Sequence, residues 1–371
     1  MKIAPFNIEK YFEKYEGKVP YILCSTGTEP LTLKELLELA DKEILQLWEN
    51  LNLAYMESSG HYLLRNEITK LHTKINPENI LTSAPVEGIF LTFNSLLEKG
   101  DHVIVTFPAY EALYKVPEAI GCEVTKWEAQ LTNNGWTFDI SFLKDNIKNN
   151  TKLIVINFPH NPTGYQPSKE EFNEIIELAR KNNIILFSDE IYRFLEYNPK
   201  DHLNSASDIY ENAISLFGLS KTFGMPGLRS GWLTTQNLTL IKTLKGLKDY
   251  TTIAGSIPGE ILSIITLKSK DQLIKRNLDI IQNNLKILDN FFDQHKEKFV
   301  WHKPKAATIG FIELLLPISS EQFCSDLIEK AGILLMPSQV FEYKRNTFRL
   351  GFGKKNMPLV IKKLESYLKG L

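Results

Sequence analysis

The pattern of apolar and polar positions divides the chain into helices and strands. Apolar residues at three- and four-residue spacing predict helices, and short continuous apolar runs predict strands that are buried on both faces. The predicted helices span residues 32–50, 168–182, 271–296, 322–330 and 357–368. The predicted strands span residues 103–107, 152–157, 184–187, 214–217, 231–235, 308–315, 332–336 and 347–350.

Strands and helices alternate through the middle of the chain, which favours an α/β fold with a mostly parallel sheet flanked by helices. After the long helix at 271–296 the pattern changes to that of a smaller α+β domain. We predict three parts: residues 1–45 as an N-terminal segment that packs with the small domain, residues 46–275 as the large domain, and residues 276–371 as the small domain.

Composition narrows the possible classes of protein. Of 371 residues, 43% are hydrophobic, and 43 Lys and Arg balance 44 Asp and Glu. The near-neutral charge argues against a nucleic-acid partner, and the apolar runs are too short for a membrane span. The three cysteines, Cys24, Cys122 and Cys324, fit neither a disulfide framework nor a metal site. With no apolar signal segment near residue 1, we expect a cytoplasmic protein.

Four predicted strands are followed by segments with polar or aromatic side chains: FPAY, FPHNPTG, SDEIY and SKTFGMPGLR. Ligands of an open parallel sheet bind beyond the carboxyl ends of its strands. We therefore expect Tyr110, Asn161, Asp189, Lys221 and Arg229 to lie at one edge of the sheet. Taken singly, each segment also fits an ordinary turn, helix cap or solvated surface pair.

Together these residue types suit a carbonyl cofactor with a phosphate. A buried lysine has a lowered pKa and bonds readily to a carbonyl carbon. A buried carboxylate keeps a pyridine nitrogen protonated, an arginine grips a phosphate, and an aromatic ring stacks on a flat heterocycle. These are the requirements of pyridoxal 5'-phosphate.

The motifs HNPTG, SDEIY, SKTFGMPGLR and FRLGFG in combination resemble those of fold-type-I pyridoxal-phosphate enzymes in the class I/II aminotransferase family. The resemblance spans about residues 20 to 370. It implies a large domain that binds the cofactor, amino acid and 2-oxo acid substrates, and transfer of the α-amino group between them.

The resemblance also implies catalytic roles. Lys221 matches the lysine that bonds the cofactor and later moves the proton at the substrate Cα. Asp189 matches the partner of the ring nitrogen. Tyr192 and Asn161 match the pair that binds the phenolic oxygen of the ring.

The remaining roles concern phosphate, ring face and substrate. Arg229 matches the phosphate-binding arginine and Tyr110 the stacking aromatic. Arg349 matches the arginine that holds the substrate α-carboxylate. Tyr55 matches a tyrosine that reaches the phosphate of the neighbouring subunit, which implies a homodimer.

Two positions depart from the family pattern. Gly218 stands where the family often has a phosphate-binding serine, and Pro85 lies in the phosphate loop without an N–H to give. The candidates for phosphate contact are Ser83, Ala84, Pro85, Val86 and Ser220.

A second interpretation stays open. The sequence is also similar to a branch that includes capreomycidine synthase-like enzymes, which act at Cβ and Cγ of arginine-like amino acids by elimination, cyclisation or oxidation. Glu29 and Gly27, in a loop at the substrate entrance, and Glu57 and His61 near Tyr55, are then candidates for contact with a cationic substrate. The alternative is that Glu29 caps a helix and Glu57 is solvated.

A non-catalytic regulator with this fold is not favoured, because Lys221, Asp189 and the two arginines of the motifs are all present.

The aromatic cluster of Tyr11, Phe12 and Tyr15 has two interpretations. It is either a packing stripe on a helix or a lid over the substrate.

Overall fold

The computed structural model describes residues 2–370, which form a seven-stranded and a four-stranded sheet covered by helices. The helices are α1 Asn7–Tyr15, α2 Leu33–Leu37, α3 Lys42–Glu49, α4 Tyr62–Thr69, α5 Pro85–Leu96, α6 Ala112–Ile120, α7 Ile140–Asn146, α8 Lys169–Lys181, α9 Ala206–Ile209, α10 Leu238–Lys248, α11 Ile257–Lys268, α12 Lys270–Gln294, α13 Ser320–Ala331 and α14 Met357–Leu368. The strands are β1 Tyr21–Ile22, β2 Ile80–Ser83, β3 His102–Phe107, β4 Glu123–Glu128, β5 Gln130–Thr132, β6 Gly135–Thr137, β7 Thr151–Asn157, β8 Ile185–Asp189, β9 Ala213–Gly218, β10 Gly231–Thr234, β11 Phe299–Val300, β12 Ile309–Leu314, β13 Ile333–Leu334, β14 Met336–Pro337 and β15 Thr347–Gly351.

The large sheet has the order β2-β10-β9-β8-β7-β3-β4, and the five strands from β9 to β4 are parallel. Strand β10 is antiparallel to both of its neighbours. A parallel return after β9 needs a crossover, usually a helix, whereas this connection holds only the short 3₁₀ turn Pro226–Leu228. The mostly parallel α/β fold predicted from the sequence is confirmed.

Both faces of this sheet are buried. Along β7, Leu153 and Val155 pack into one apolar cluster while Ile154 and Ile156 pack into another. Since successive side chains of a strand point to opposite faces, the continuous apolar run fills two cores at once. The carboxyl ends of the strands are thereby held rigidly side by side.

The four-stranded antiparallel sheet has the order β11-β12-β15-β14 and packs with α12, α13 and α14. The N-terminal segment contacts both halves of the structure. Strand β1 pairs with β13 of the C-terminal half, whereas α2 and α3 pack against α11. The domain limits at residues 45 and 275 remain predictions.

Three sequence predictions of elements need correction. Residues 32–50 form two helices, because Thr32 caps α2 and the Asp41 carboxylate accepts from Ile44 N at 2.9 Å to begin α3. Residues 332–336 are divided between β13, which pairs with β1, and β14, which pairs with β15. Strands β2 and β4 of the large sheet were not predicted.

Within residues 2–370, no helix combines the length and apolarity that a bilayer crossing requires. The same residues contain no group of three or more His, Cys, Asp and Glu side chains placed to hold a metal ion.

Candidate active site

A cavity of about 350 Å³ lies where the carboxyl ends of β7, β8 and β9 meet the first turn of α5 and one face of α1. The predicted site residues that line it are Pro85, Val86, Tyr110, Asn161, Asp189, Tyr192, Ser220, Lys221, Arg229 and Arg349. Side chains that follow four strands of the large sheet, together with Arg349 of β15, therefore line a single cavity.

Lys221 follows β9 and reaches into the cavity. Its Nζ donates a hydrogen bond to Thr26 Oγ1 at 2.7 Å. Burial and the nearby Arg349 guanidinium lower the pKa of Lys221 to about 8. About a tenth of this amine is uncharged at pH 7, and the uncharged amine is the form that attacks a carbonyl carbon.

Asp189 is the last residue of β8, and its Oδ1 accepts from Ile191 N at 3.1 Å. Burial raises the pKa of Asp189 to about 7, and the Glu190 carboxylate adds to that effect. Asn157, at the end of β7, donates from Nδ2 to the Asp189 carbonyl at 2.9 Å and so holds the two strand ends together. A carboxyl in such a place pairs well with the protonated nitrogen of a heterocycle.

Arg349 enters the cavity from β15 and is only 2% exposed. Its guanidinium donates to Asn161 Oδ1 at 3.2 Å and to the Cys24 carbonyl at 3.1 Å, and its Nε has no partner within the described residues. A buried cation with a free donor favours an anionic ligand. A substrate carboxylate would meet that need.

Two more buried polar atoms near the cavity lack partners among residues 2–370: Tyr192 Oη and Ser83 Oγ. Buried polar groups normally form hydrogen bonds, so such atoms indicate a missing ligand. Pyridoxal phosphate supplies a phenolic oxygen that would satisfy Tyr192 Oη. Lys221, Asp189 and Arg349 complete a set of residues that fits this cofactor.

The first turn of α5 forms the phosphate end of the cavity. Pro85 is the first helical residue, and the first bond within the helix runs from Gly88 N to the Ala84 carbonyl. The N–H groups of Val86 and Glu87 are therefore left for a ligand, and a helix N-terminus favours an anion. Ser83 and Ala84 face an adjoining cavity of about 190 Å³ instead.

Pro85 and Gly218 are in contact. A Cβ placed on Gly218 would lie 3.0 Å from Pro85 Cγ and 3.0 Å from the Ser230 carbonyl oxygen. On Gly231 it would lie 2.8 Å from Pro85 Cγ. The two departures from the family pattern are thus one packing arrangement, since the proline ring occupies the space that a serine at 218 would need.

Tyr110 and Arg229 both line the cavity wall. The Tyr110 ring packs against Phe6, with ring centroids 5.0 Å apart. Arg229 is exposed, has a φ of 51°, and donates to the Pro226 carbonyl at 3.0 Å. The remaining donors of its guanidinium are open to a phosphate.

The acidic and loop residues predicted at the substrate entrance lie outside the cavity wall. The Glu29 carboxylate accepts from Lys355 N at 2.9 Å, so it binds backbone rather than facing the cavity. Gly27 packs beside the Ser220 carbonyl. Glu57 pairs with Arg65, and His61 caps α4. The Glu29 carboxylate is thus engaged by the backbone of Lys355, and its contact with substrate stays a prediction.

Tyr55 does not reach the cavity of its own chain. Its side chain is 88% exposed.

Several residues of the cavity wall were not predicted from the sequence: Ile8, Glu9, Thr26 and Asn157. Helix α1 brings two of them together with Phe12 of the aromatic cluster. In the same cluster, Tyr11 Oη donates to the Leu335 carbonyl at 2.7 Å, so the cluster both packs and faces the site. The signal available for Asn157 was its polar side chain at the end of an apolar strand.

Comparisons with known proteins agree with this geometry. The sequence matches the family described as Aminotransferase class I and II over residues 26–362. Aspartate aminotransferase from Pyrococcus horikoshii is 29% identical over 356 residues, which cover 90% of this chain and 86% of that protein. Capreomycidine synthase from Streptomyces vinaceus is 25% identical over 349 residues, which cover 93% and 87%.

A solved structure gives the same result for the fold. The crystal structure of a PLP-dependent aminotransferase from Streptococcus suis superimposes with a TM-score of 0.93 at 29% identity, covering 100% of this chain and 98% of the other. The family, fold and cofactor predicted from the motifs are confirmed. The chain belongs to the class I and II aminotransferases, which use pyridoxal phosphate to transfer an amino group between an amino acid and a 2-oxo acid.

Proposed function

We propose that the cavity around Lys221 is the transamination site and that Lys221 both bonds the cofactor and moves the substrate proton. The observation that carries this proposal is the convergence of Lys221, Asp189 and Arg349 on one cavity. Burial and Arg349 lower the pKa of Lys221 to about 8, as a lysine that attacks a carbonyl and later accepts a proton requires.

Each residue then has a stated task. When bound, pyridoxal phosphate supplies a carbonyl carbon and a ring that withdraws electrons from the substrate Cα. Asp189 holds a proton on the ring nitrogen, and Tyr192 Oη and Asn161 bind the phenolic oxygen. Arg349 orients the substrate by its α-carboxylate. Lys221 Nζ then takes the proton from the substrate Cα.

The phosphate group of the cofactor would be held by Arg229 and by the first turn of α5. Arg229 supplies charge and donors, and the first turn of α5 supplies the backbone N–H of Val86. Two further candidates for contact with the phosphate are Ser220, which lines this cavity, and Ser83, which lines the adjoining cavity together with Arg229. Pro85 contributes shape rather than a hydrogen bond.

The proposal includes a homodimer. Leu53, Tyr55 and Tyr250 are large side chains that are exposed by 79%, 88% and 89%. A hydrogen bond from Ser58 Oγ to Asp249 Oδ1 at 2.9 Å joins the loops that carry them, so they form one exposed apolar patch. Such a patch is typical of an interface. A second copy of the chain would cover it, and Tyr55 would then reach the phosphate site of its partner.

The predicted cytoplasmic location belongs to the same proposal. Its support is that Cys24, Cys122 and Cys324 are all unpaired, as in a reducing compartment.

Variants of two cavity residues test the assignment. We expect Lys221→Ala to lose the visible absorbance of the covalently bound cofactor and its activity. Asp189→Asn should keep the cofactor but lower kcat by about a hundredfold to a thousandfold, the usual effect of removing one preorganised charge. Lys181→Ala, at an exposed lysine of α8, is the matched control. Full activity in Lys221→Ala would refute the proposal.

The second candidate is chemistry at Cβ or Cγ of an arginine-like amino acid. The cavity favours it in one respect, because α1 adds the Glu9 carboxylate, which transamination itself does not use. Formation of product without any 2-oxo acid distinguishes this reaction from transamination.

A further inference from the structure

Five charged side chains line the cavity, and the proposed function uses four of them. Lys221 and Asp189 serve the cofactor ring, Arg229 its phosphate, and Arg349 the substrate carboxylate. Glu9 is left without a task.

Helix α1 holds Glu9 at the cavity wall. The first backbone N–H groups of the helix, those of Asn7 and Ile8, donate to the buried Glu111 carboxylate at 3.0 and 2.8 Å. Ile8 is buried, and Phe12, one turn further, lines the same cavity. Because residues three and four apart share a helix face, this face of α1 is fixed toward the site.

The Glu9 carboxylate forms no hydrogen bond or ion pair with other residues in the range 2–370. The negative charge of Glu9 nevertheless affects the pKa values of two cavity residues, Lys221 and Tyr110. Burial lowers the pKa of Lys221, and Glu9 opposes that shift; burial raises the pKa of Tyr110, and Glu9 increases that shift. Glu9 is exposed, so its carboxylate lies at the open rim of the cavity, where it favours a cation on the substrate.

We propose that Glu9 determines substrate specificity by binding the terminal cation of an amino acid with a basic side chain. The inference rests on the proposed function, since it takes Arg349 as the partner of the α-carboxylate. The substrate would then lie between Arg349 at one end and Glu9 at the other.

The same charges disfavour acidic substrates. A second carboxylate on the substrate would need a second cation, but in the proposed function Arg229 binds the phosphate, Arg349 binds the α-carboxylate and Lys221 bonds the cofactor. It would also meet Glu9 as a like charge. Aspartate is therefore expected to react more slowly than arginine.

The test compares arginine with citrulline, which has nearly the same shape but no charge. The loss of visible absorbance by the holoenzyme is followed at increasing concentrations of each. For the wild type we expect arginine to half-saturate at about threefold to fivefold lower concentration, the upper range for one ion pair at an exposed carboxylate. Glu9→Gln should raise the arginine value about threefold to fivefold and the citrulline value less than about twofold. Glu13→Gln, at an exposed position of α1 outside the cavity, should match the wild type.

The outcomes separate the two proposals. If Glu9→Gln leaves arginine unchanged, or if the wild type prefers citrulline or aspartate, the role of Glu9 is refuted while the transamination site stands. If no amino acid changes the absorbance of the wild type, both proposals fall. Calorimetric titration of arginine into the Lys221→Ala holoprotein, with and without Glu9→Gln, gives the same comparison without turnover.

Discussion

Lys221 is a lysine whose surroundings oppose its usual charge. Burial penalises the ammonium form, and the Arg349 cation adds repulsion, so the pKa falls to about 8. In the unfolded chain the same group keeps its proton to about pH 10.5. The folded apoprotein thus holds fewer protons between these values, and this group's contribution to stability rises with pH across that window.

This pKa predicts how fast the apoprotein takes up its cofactor. Below pH 8 the neutral fraction of the amine falls about tenfold per pH unit. We expect the rate constant for the growth of visible absorbance to rise about tenfold from pH 6 to pH 7 and to level off above pH 8. Stopped-flow mixing of apoprotein and pyridoxal phosphate measures it. A rate that does not vary with pH would contradict the assignment.

Gly218 and Pro85 predict a non-additive pair of substitutions. Gly218→Ser should lower the free energy of unfolding by about 1–3 kcal/mol, the usual cost of overpacking, because its Cβ meets Pro85 and the Ser230 carbonyl. In a Pro85→Ala background the cost should be smaller, since one of the two contacts is removed. Urea denaturation of the four proteins measures the coupling, and strictly additive values would show that the two positions are independent.

Some of the charged residues of the cavity could be predicted from the sequence, and one could not. Lys221 and Asp189 were predicted because their motifs follow strand ends, and Arg349 because FRLGFG resembles a motif of the family. Glu29 was a candidate for contact with substrate, and Glu9 was not considered. Nothing in the local sequence reveals that the Glu29 carboxylate binds the backbone of Lys355 or that α1 folds back over the cavity.

At the scale of elements, α1 depends on one buried side chain. Its N-cap, Phe6, offers no side-chain hydrogen bond, and Glu111 takes over that role from a distant part of the chain. Burial raises the pKa of Glu111, and the two backbone N–H donors oppose that shift.

We predict that Glu111→Ala loosens α1. The loss should lower the free energy of unfolding by about 1–2 kcal/mol, as for the loss of an N-cap, and should make α1 sensitive to limited proteolysis. Glu13→Ala, which removes an exposed carboxylate from the same helix, is the control. If both variants are cleaved at the wild-type rate, Glu111 does not anchor the helix.

Strands with continuous apolar runs were predictable from the sequence. Elements whose limits depend on a neighbouring strand or on a capping side chain were not. The central strands β3, β7 and β8 each contain a continuous apolar run and were predicted. Strand β4, at the edge of the sheet, reads EVTKWE and has a mostly polar pattern. The break between α2 and α3 depends on the cap formed by Asp41, which an apolar periodicity does not register.

At the scale of the whole molecule, five parallel strands place their carboxyl ends on one edge, and the C-terminal half adds Arg349 from β15. This convergence followed from strand order and was largely predictable. The exposure of Leu53, Tyr55 and Tyr250 was not predictable from the apolar pattern, since short exposed loops carry no periodic signal.

The proposed dimer predicts complementation between defective subunits. A heterodimer of a Tyr55→Ala chain and a Lys221→Ala chain has one site in which both Tyr55 and Lys221 are intact. Purified through two different tags, it should show about half of the wild-type activity at limiting cofactor, because the two sites of a symmetric dimer are equivalent. Each parent homodimer should show far less. A heterodimer no more active than its parents would contradict a shared site.

The most direct test of the account is the stoichiometry of a half-reaction. The holoenzyme is mixed with arginine in the absence of any 2-oxo acid, and the product and the visible absorbance are followed together. Transamination at Lys221 should give a single equivalent of 2-oxo acid per site, loss of the absorbance, and its recovery when a 2-oxo acid is added. Product that continues to accumulate without a 2-oxo acid would contradict transamination at this site.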